Sequence, residues 1–346
     1  MYTPGSTNER IFGGLMATQA IIILALELFI LVEWQLWMHP KDVEVAPLYI
    51  VPVNAAIVWF ACIYEFSLSL NAMHHKNNIQ LFAICICNAF VVAFAAMQYP
   101  AMKSFCITMP IQRGPYGQPL VDTSRNIWPQ IRGPQLAVPI VIGLCTLGIW
   151  WFAFRLHKQY AWAIHRCVQG DSHTRDRHLA YEVYVVFVKL SAFFIICFVL
   201  QYGLIHAHFV LGPEFGLTMS IPPALTFVMI LGVCIVRKEH KPLMILVIVC
   251  HLAMIAYLLS RIAALYGNSH LARGATKYMM TAFAFSSLIL TILSLACGIR
   301  CLNFGYGLKH ILAGKAHPVR ASYDFHTFSR YPIALDDVSH CRLSLA

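Results

Sequence analysis

Six ionisable side chains stand inside stretches that are otherwise apolar: Glu27, Glu33, Glu65, Lys189, His251 and Arg261. A charge in such a stretch is expensive, so each of these groups needs a partner or a task. Carboxylates and cations in that setting can pair and fix which segments sit together. They can also carry protons or hold a polar solute. Asn54, Asn88 and Gln201 lie in the same kind of stretch and can supply hydrogen bonds, although buried amides more often serve helix packing than ligand binding.

Other chemistries find little support. The 16 histidines gather most tightly at His74-His75 and His206-x-His208, and residues one or two apart do not share a helical face. No metal or other cofactor is expected, and His251, alone on an apolar segment, reads as a packing residue. Gly-x-Ser-x-Gly, a phosphate-binding Walker loop and His-Glu-x-x-His are all absent, so no enzyme is expected. The 12 cysteines sit mostly in apolar runs, where they behave as small hydrophobes.

The elements that must position these groups follow from composition. Of 346 residues, 59% are hydrophobic and 12% charged, whereas a soluble domain is about a quarter charged. So much apolar surface points to lipid as the solvent. The net charge of +10 comes from basic residues beside apolar runs, which suits anionic headgroups rather than nucleic acid.

Eight apolar runs are long enough to cross a bilayer as helices: Phe12–Trp37, Ala46–Asn71, Ile79–Tyr99, Gln135–Phe154, Glu182–His206, Leu217–Val236, Pro242–Leu265 and Thr276–Gly298. The expected fold is an all-α polytopic transmembrane helix bundle of about eight spans over residues 12–298. No internal repeat is visible. Residues 1–11 form the N-terminal flank, and the first run is expected to be retained rather than cleaved as a signal peptide. A Pro/Gly-rich loop covers 100–134, a basic connector covers 155–180, and a tail of 299–346, too sparsely apolar for a core, is expected to be mostly disordered. Pro139, Pro222 and Pro223 fall inside spans as kinks or hinges.

Placing the 155–180 connector in the cytoplasm puts both termini there and gathers roughly two thirds of the 25 Lys and Arg on that side. The 155–180 loop and the tail are then the surfaces open to cytoplasmic protein partners. Cys106 is expected in the loop on the opposite face, with no disulfide partner. Cys167 and Cys301, next to the membrane, are candidates for palmitoylation. The same topology puts Lys189 and Glu65 both about 10 Å in from the cytoplasmic face, so a Lys189–Glu65 pair is expected. Glu33 and Arg261 match in depth near the other face and are a second candidate pair. Glu27, near mid-span, has no cation at its depth and is either a hydrogen-bonded structural acid or a proton carrier.

Four stretches resemble a known family: His75-Lys76-Asn77-Asn78-Ile79-Gln80-Leu81-Phe82-Ala83, Tyr181-Glu182-Val183-Tyr184 with Lys189 and Phe193-Phe194, Arg237-Lys238-Glu239-His240-Lys241, and Asn303-Phe304-Gly305-Tyr306-Gly307-Leu308-Lys309. Their order and spacing resemble those of an uncharacterised family of fungal multi-pass Golgi apparatus membrane proteins. The resemblance implies Golgi residence and a many-spanning topology, and it implies no activity. In that family an acid closely follows the fifth-helix lysine. Leu190 and Ser191 stand there in this chain, so Lys189 must find its partner on another helix. Two functional readings follow: trafficking or membrane organisation through the cytoplasmic loop and tail, or small-solute or proton-coupled transport using Glu27, Glu65 and Lys189.

Overall fold

The computed structural model describes residues 6–38, 50–113, 119–167, 172–206, 213–238, 241–267 and 276–303. These form eight α-helices: α1 (Thr7–Trp37), α2 (Ile50–His75), α3 (Asn78–Thr108), α4 (Trp128–Cys167), α5 (Ser172–His206), α6 (Pro213–Lys238), α7 (Lys241–Tyr266) and α8 (Thr276–Asn303). Seven of them are long and apolar enough to cross a bilayer, and α6 carries a shorter apolar stretch, Thr226–Val236. A helix is the form in which a lone segment satisfies all its backbone groups within lipid. The chain is an all-α polytopic membrane bundle.

The helices pack as two rings of four. In the first, α1 meets α2 and α4, and α3 meets α2 and α4. In the second, α5 meets α6 and α8, and α7 meets α6 and α8. α2 and α3 join the first ring to the second, mainly through α5.

The first helix has a mainly apolar outer face and places three polar groups, Glu9, Gln19 and Glu27, on its buried face. Its buried face runs Glu9, Phe12, Met16, Gln19, Ile23, Glu27, Ile30, Trp34, Trp37, a helical spacing of three and four. Its exposed face carries Ile11, Ile21, Leu28, Val32 and Leu36. Water would impose the reverse pattern, and lipid permits this one.

Local signals set the helix ends. Ser6 caps α1 with a reciprocal pair: its Oγ accepts from the Glu9 amide at 3.2 Å, and the Glu9 carboxylate accepts from the Ser6 amide at 3.3 Å. At the end of α2 the Asn77 amide donates to the Ala72 carbonyl and the Lys76 amide to the Met73 carbonyl. This is a Schellman turn with Lys76 in the left-handed region at φ 49°, where glycine is usual. Asn77 then caps α3 by accepting from the amides of Ile79 and Gln80.

Several sequence-based boundaries move. α3 runs through Pro100 to Thr108, so the irregular segment begins later than residue 100. A proline in a helix removes one donor, which a packed helix tolerates. Cys106, expected in the loop, is therefore a buried free thiol in the last turns of α3. α4 starts at Trp128 and contains both Pro134 and Pro139. Glu9, expected in the flank, lies inside α1 and accepts from the Tyr160 hydroxyl of α4 at 2.8 Å. The returning loop is pinned to α1: Trp37 Nε1 donates to the carbonyls of Asp122 and Arg125, both at 2.9 Å. The tail beyond Asn303 and the turn between α4 and α5 lie outside the described residues.

Candidate polar site in the first helix ring

Four polar side chains, one from each helix of the first ring, converge on one cavity: Glu27 of α1, Asn54 of α2, Gln98 of α3 and Gln135 of α4. All four are buried, Glu27 to 3% exposure. Their helix positions explain the meeting. Glu27 and Gln98 each lie about 15 Å before the ends of α1 and α3. Asn54 and Gln135 lie within about 10 Å of the starts of the antiparallel α2 and α4. Ile30, Val51, Ala55, Ala101, Met102 and Phe105 complete the wall. The cavity volume of about 20 Å³ is room for one water-sized guest.

The site offers unused hydrogen-bonding capacity. Glu27 Oε1 and Gln98 Nε2 are both buried and have no hydrogen-bond partner among the described residues. Asn54 Oδ1 accepts from Gln201 Nε2 of α5 at 3.4 Å, which ties the cavity to the second ring. Pro139 lies four residues after Gln135 and has no amide hydrogen, so the Gln135 carbonyl lacks its ordinary helical donor. Among the described residues no Lys, Arg or His lines the cavity.

Two other polar layers brace the same ring. Gln19 of α1 donates to Asn88 of α3 at 2.8 Å, and Asn88 Nδ2 donates to Thr146 of α4 at 3.2 Å. Glu9 and Tyr160 form the layer nearest the N-terminus. Fully buried Ile23 separates the Glu27 layer from the Gln19 layer, and Phe12 and Met16 separate Gln19 from Glu9. On the N-terminal side of Glu27 the ring is therefore apolar between satisfied polar contacts.

The expected Lys189–Glu65 pair does not form. Lys189 Nζ donates to Asn71 Oδ1 at 2.8 Å and to Gln80 Oε1 at 3.3 Å, on the seam between α5 and α2/α3. The Tyr64 hydroxyl donates to the Lys189 carbonyl at 2.8 Å. Glu65 is buried, and neither of its oxygens has a nitrogen or oxygen partner among the described residues. Its carboxyl faces the Cys87 thiol of α3, with Cys62 and Cys197 also close enough to feel its charge.

The reason is the direction of the side chains. Gln201 sits by Asn54 and Lys189 by Asn71, so α5 and α2 are antiparallel. Helical side chains lean toward the N-terminus of their own helix. Glu65 thus leans away from the Asn71 end of α2, and Lys189 leans toward it. Equal backbone depth did not bring the two heads together.

The second expected pair is also replaced. Glu33 accepts from Arg125 Nη2 of the returning loop at 2.7 Å. Arg261 of α7 instead donates to the Tyr202 hydroxyl at 3.3 Å and stacks over the rings of Tyr202 and Tyr257. His251 is buried in the second ring, where its Nδ1–H donates to the Val247 carbonyl at 2.8 Å. No group of three or more His, Cys, Asp or Glu among the described residues is arranged to hold a metal ion.

Of the polar residues singled out in the sequence, Glu27, Asn54 and Gln201 are brought together. Asn88 serves the Gln19 layer, and Glu65, Lys189, Glu33, Arg261 and His251 lie elsewhere. Gln98 and Gln135 completed the site unnoticed. The available signal was a glutamine beside a proline inside an apolar run, in Gln98-Tyr99-Pro100 and Pro134-Gln135.

No protein-family model matches the chain, and no solved structure does. A curated relative does: a UPF0658 Golgi apparatus membrane protein of Schizosaccharomyces pombe, 24% identical over 274 residues, which cover 75% of this chain and 77% of the relative. That match, together with the eight-helix membrane bundle, makes the chain similar to an uncharacterised family of fungal multi-pass Golgi membrane proteins.

Proposed function

We propose that this multi-pass membrane protein resides in the Golgi apparatus and carries a small polar solute or a proton through its first helix ring, with Glu27 as the central binding group. Golgi residence is carried over from the relative's name. The observation behind transport is the cavity at Glu27, where a carboxyl and three carboxamides from four different helices meet with unsatisfied polar atoms. A bundle that needed only to pack would fill this position with apolar side chains, because partly satisfied buried polar groups cost stability. Helices that converge on one polar point near the middle of a membrane are also the elements whose relative tilt can open it to one side or the other.

Glu65 and Lys189 have no place in this reading. Lys189 fastens the two rings together, and Glu65 lies on the seam among thiols. The alternative, trafficking or membrane organisation through the 155–180 connector and the tail, rests on a tail that lies mostly outside the described residues and on a connector whose residues 155–167 and 172–180 continue the helices α4 and α5. What is described there, Arg155 stacked over the exposed Trp151 ring, suits anchoring at the headgroup level.

The test is an uptake screen of protons and small polar solutes in sealed vesicles carrying the purified protein, run beside Glu27→Gln. Flux that the variant loses while keeping its folded yield supports the reading. Flux that survives the substitution, or no flux for any solute from a well-folded protein, refutes it.

A further inference from the structure

We infer that the cavity at Glu27 is a binding site for a small monovalent cation, of the class of sodium, potassium or ammonium. The inference rests on the reading of the cavity as a binding site and names its ligand. Three features carry it. The first is charge: among the described residues the one ionisable lining residue is Glu27, and no Lys, Arg or His faces the space. Anions find no counter-charge there, so a solute bearing phosphate or carboxylate is disfavoured. The second is the donor set. Asn54, Gln98 and Gln135 carry carboxamide oxygens and Glu27 carries carboxylate oxygens. All are hard oxygen donors, suited to hard cations or to N–H groups and unsuited to soft metals.

The Gln98 amide can turn to present oxygen rather than nitrogen, since the two ends differ little in shape. Turned that way, it places a second acceptor beside the unpartnered Glu27 Oε1. The Gln135 backbone carbonyl, deprived of its helical donor by Pro139, is a further oxygen on the same helix turn. The third feature is size and valence. Room for one water-sized guest admits a bare ion or ammonium and excludes a sugar or an amino acid. One carboxylate balances one positive charge, whereas divalent ions draw six or more oxygen ligands and commonly several carboxylates.

The arrangement also explains why a buried acid is retained on a helix whose outer face is mainly apolar. A cation in the cavity satisfies Glu27 Oε1 and neutralises its charge, which no side chain among the described residues does. Binding therefore stabilises the folded bundle in proportion to occupancy. The same ion draws α1, α2, α3 and α4 onto a common centre, which links occupancy to the packing of the whole ring.

The experiment is thermal unfolding of the full-length protein in detergent and in lipid nanodiscs. Sodium, potassium and ammonium chloride are titrated separately, with choline chloride holding ionic strength constant. The expected result is a saturable rise in Tm with at least one of the three small cations and none with choline. Glu27→Gln should abolish the rise, while Glu65→Gln, which alters a buried carboxyl outside the cavity, should keep it. Should Glu27→Gln fold poorly, Glu27→Asp retains the charge, withdraws it by one methylene and should weaken the apparent affinity about tenfold or more. A Tm that is indifferent to all three cations, or a rise that choline or Glu27→Gln reproduces, overturns the inference. Solute flux that depends on Glu27 without any cation effect on Tm overturns this inference and leaves the carrier reading standing. Saturable cation binding without flux does the opposite.

Discussion

Lys189 offers the sharpest test of how this bundle holds a charge. Its ammonium is held by two neutral amide oxygens, Asn71 Oδ1 at 2.8 Å and Gln80 Oε1 at 3.3 Å, rather than by the acid nearest in depth. A hydrogen bond to a charged group contributes about 1.5–3 kcal/mol, and the half-buried lysine belongs at the lower end of that range. Asn71→Leu should therefore cost about 1.5–2 kcal/mol. Lys189→Met removes the burial cost of the cation but leaves the two amide oxygens without it, for a net loss of about 1–2 kcal/mol. The double variant should lose less than the sum, because the second change removes an interaction already broken. The coupling should be about 1–2 kcal/mol. Lys189→Met combined with Glu65→Gln should instead be additive within about 0.5 kcal/mol. Equilibrium unfolding in mixed lipid–detergent micelles, followed by tryptophan fluorescence, measures these four variants and the Glu65→Gln single against the unaltered protein. Strong coupling of Lys189 to Glu65, with none to Asn71, would refute the argument from side-chain direction.

Four further outcomes follow from local geometry. The Arg125–Glu33 pair has side chains 37% and 17% exposed, so Arg125→Ala should cost only about 0.2–1 kcal/mol, less at high salt, as read by thermal unfolding in low- and high-salt buffer. Lys76→Gly should raise stability by about 1 kcal/mol, because the left-handed turn between α2 and α3 strains a residue with a side chain, and chemical denaturation of the pair of proteins reads the difference. Gly232→Ala should destabilise by about 1–3 kcal/mol, because its new methyl would sit 2.7 Å from Val247 Cγ1 and 2.8 Å from the Tyr184 hydroxyl. Gly14→Ala, which meets nothing within 4 Å, should be nearly neutral in the same unfolding assay.

The sequence was most informative where lipid imposes a one-dimensional rule. A span needs a length and a composition, and both can be read locally, which is why the helices fall where the apolar runs predicted. Helix ends were less legible. Glu9 looked like part of a polar flank because its partner, Tyr160, is 151 residues away. Pro100 looked like the start of a loop because a proline in isolation breaks a helix, whereas here neighbouring helices hold the turn in place.

The site itself required knowledge that depth alone does not carry. Matching two charges by distance from a membrane face treats each side chain as a point at its Cα. A lysine or glutamate head lies several ångströms from that point, displaced toward its own helix N-terminus. In parallel helices the displacements cancel, and depth is a fair guide. In antiparallel neighbours they add, so two groups at equal Cα depth are held apart and groups offset by a turn or more can meet. Lys189 and Asn71 form such an offset pair on antiparallel α5 and α2.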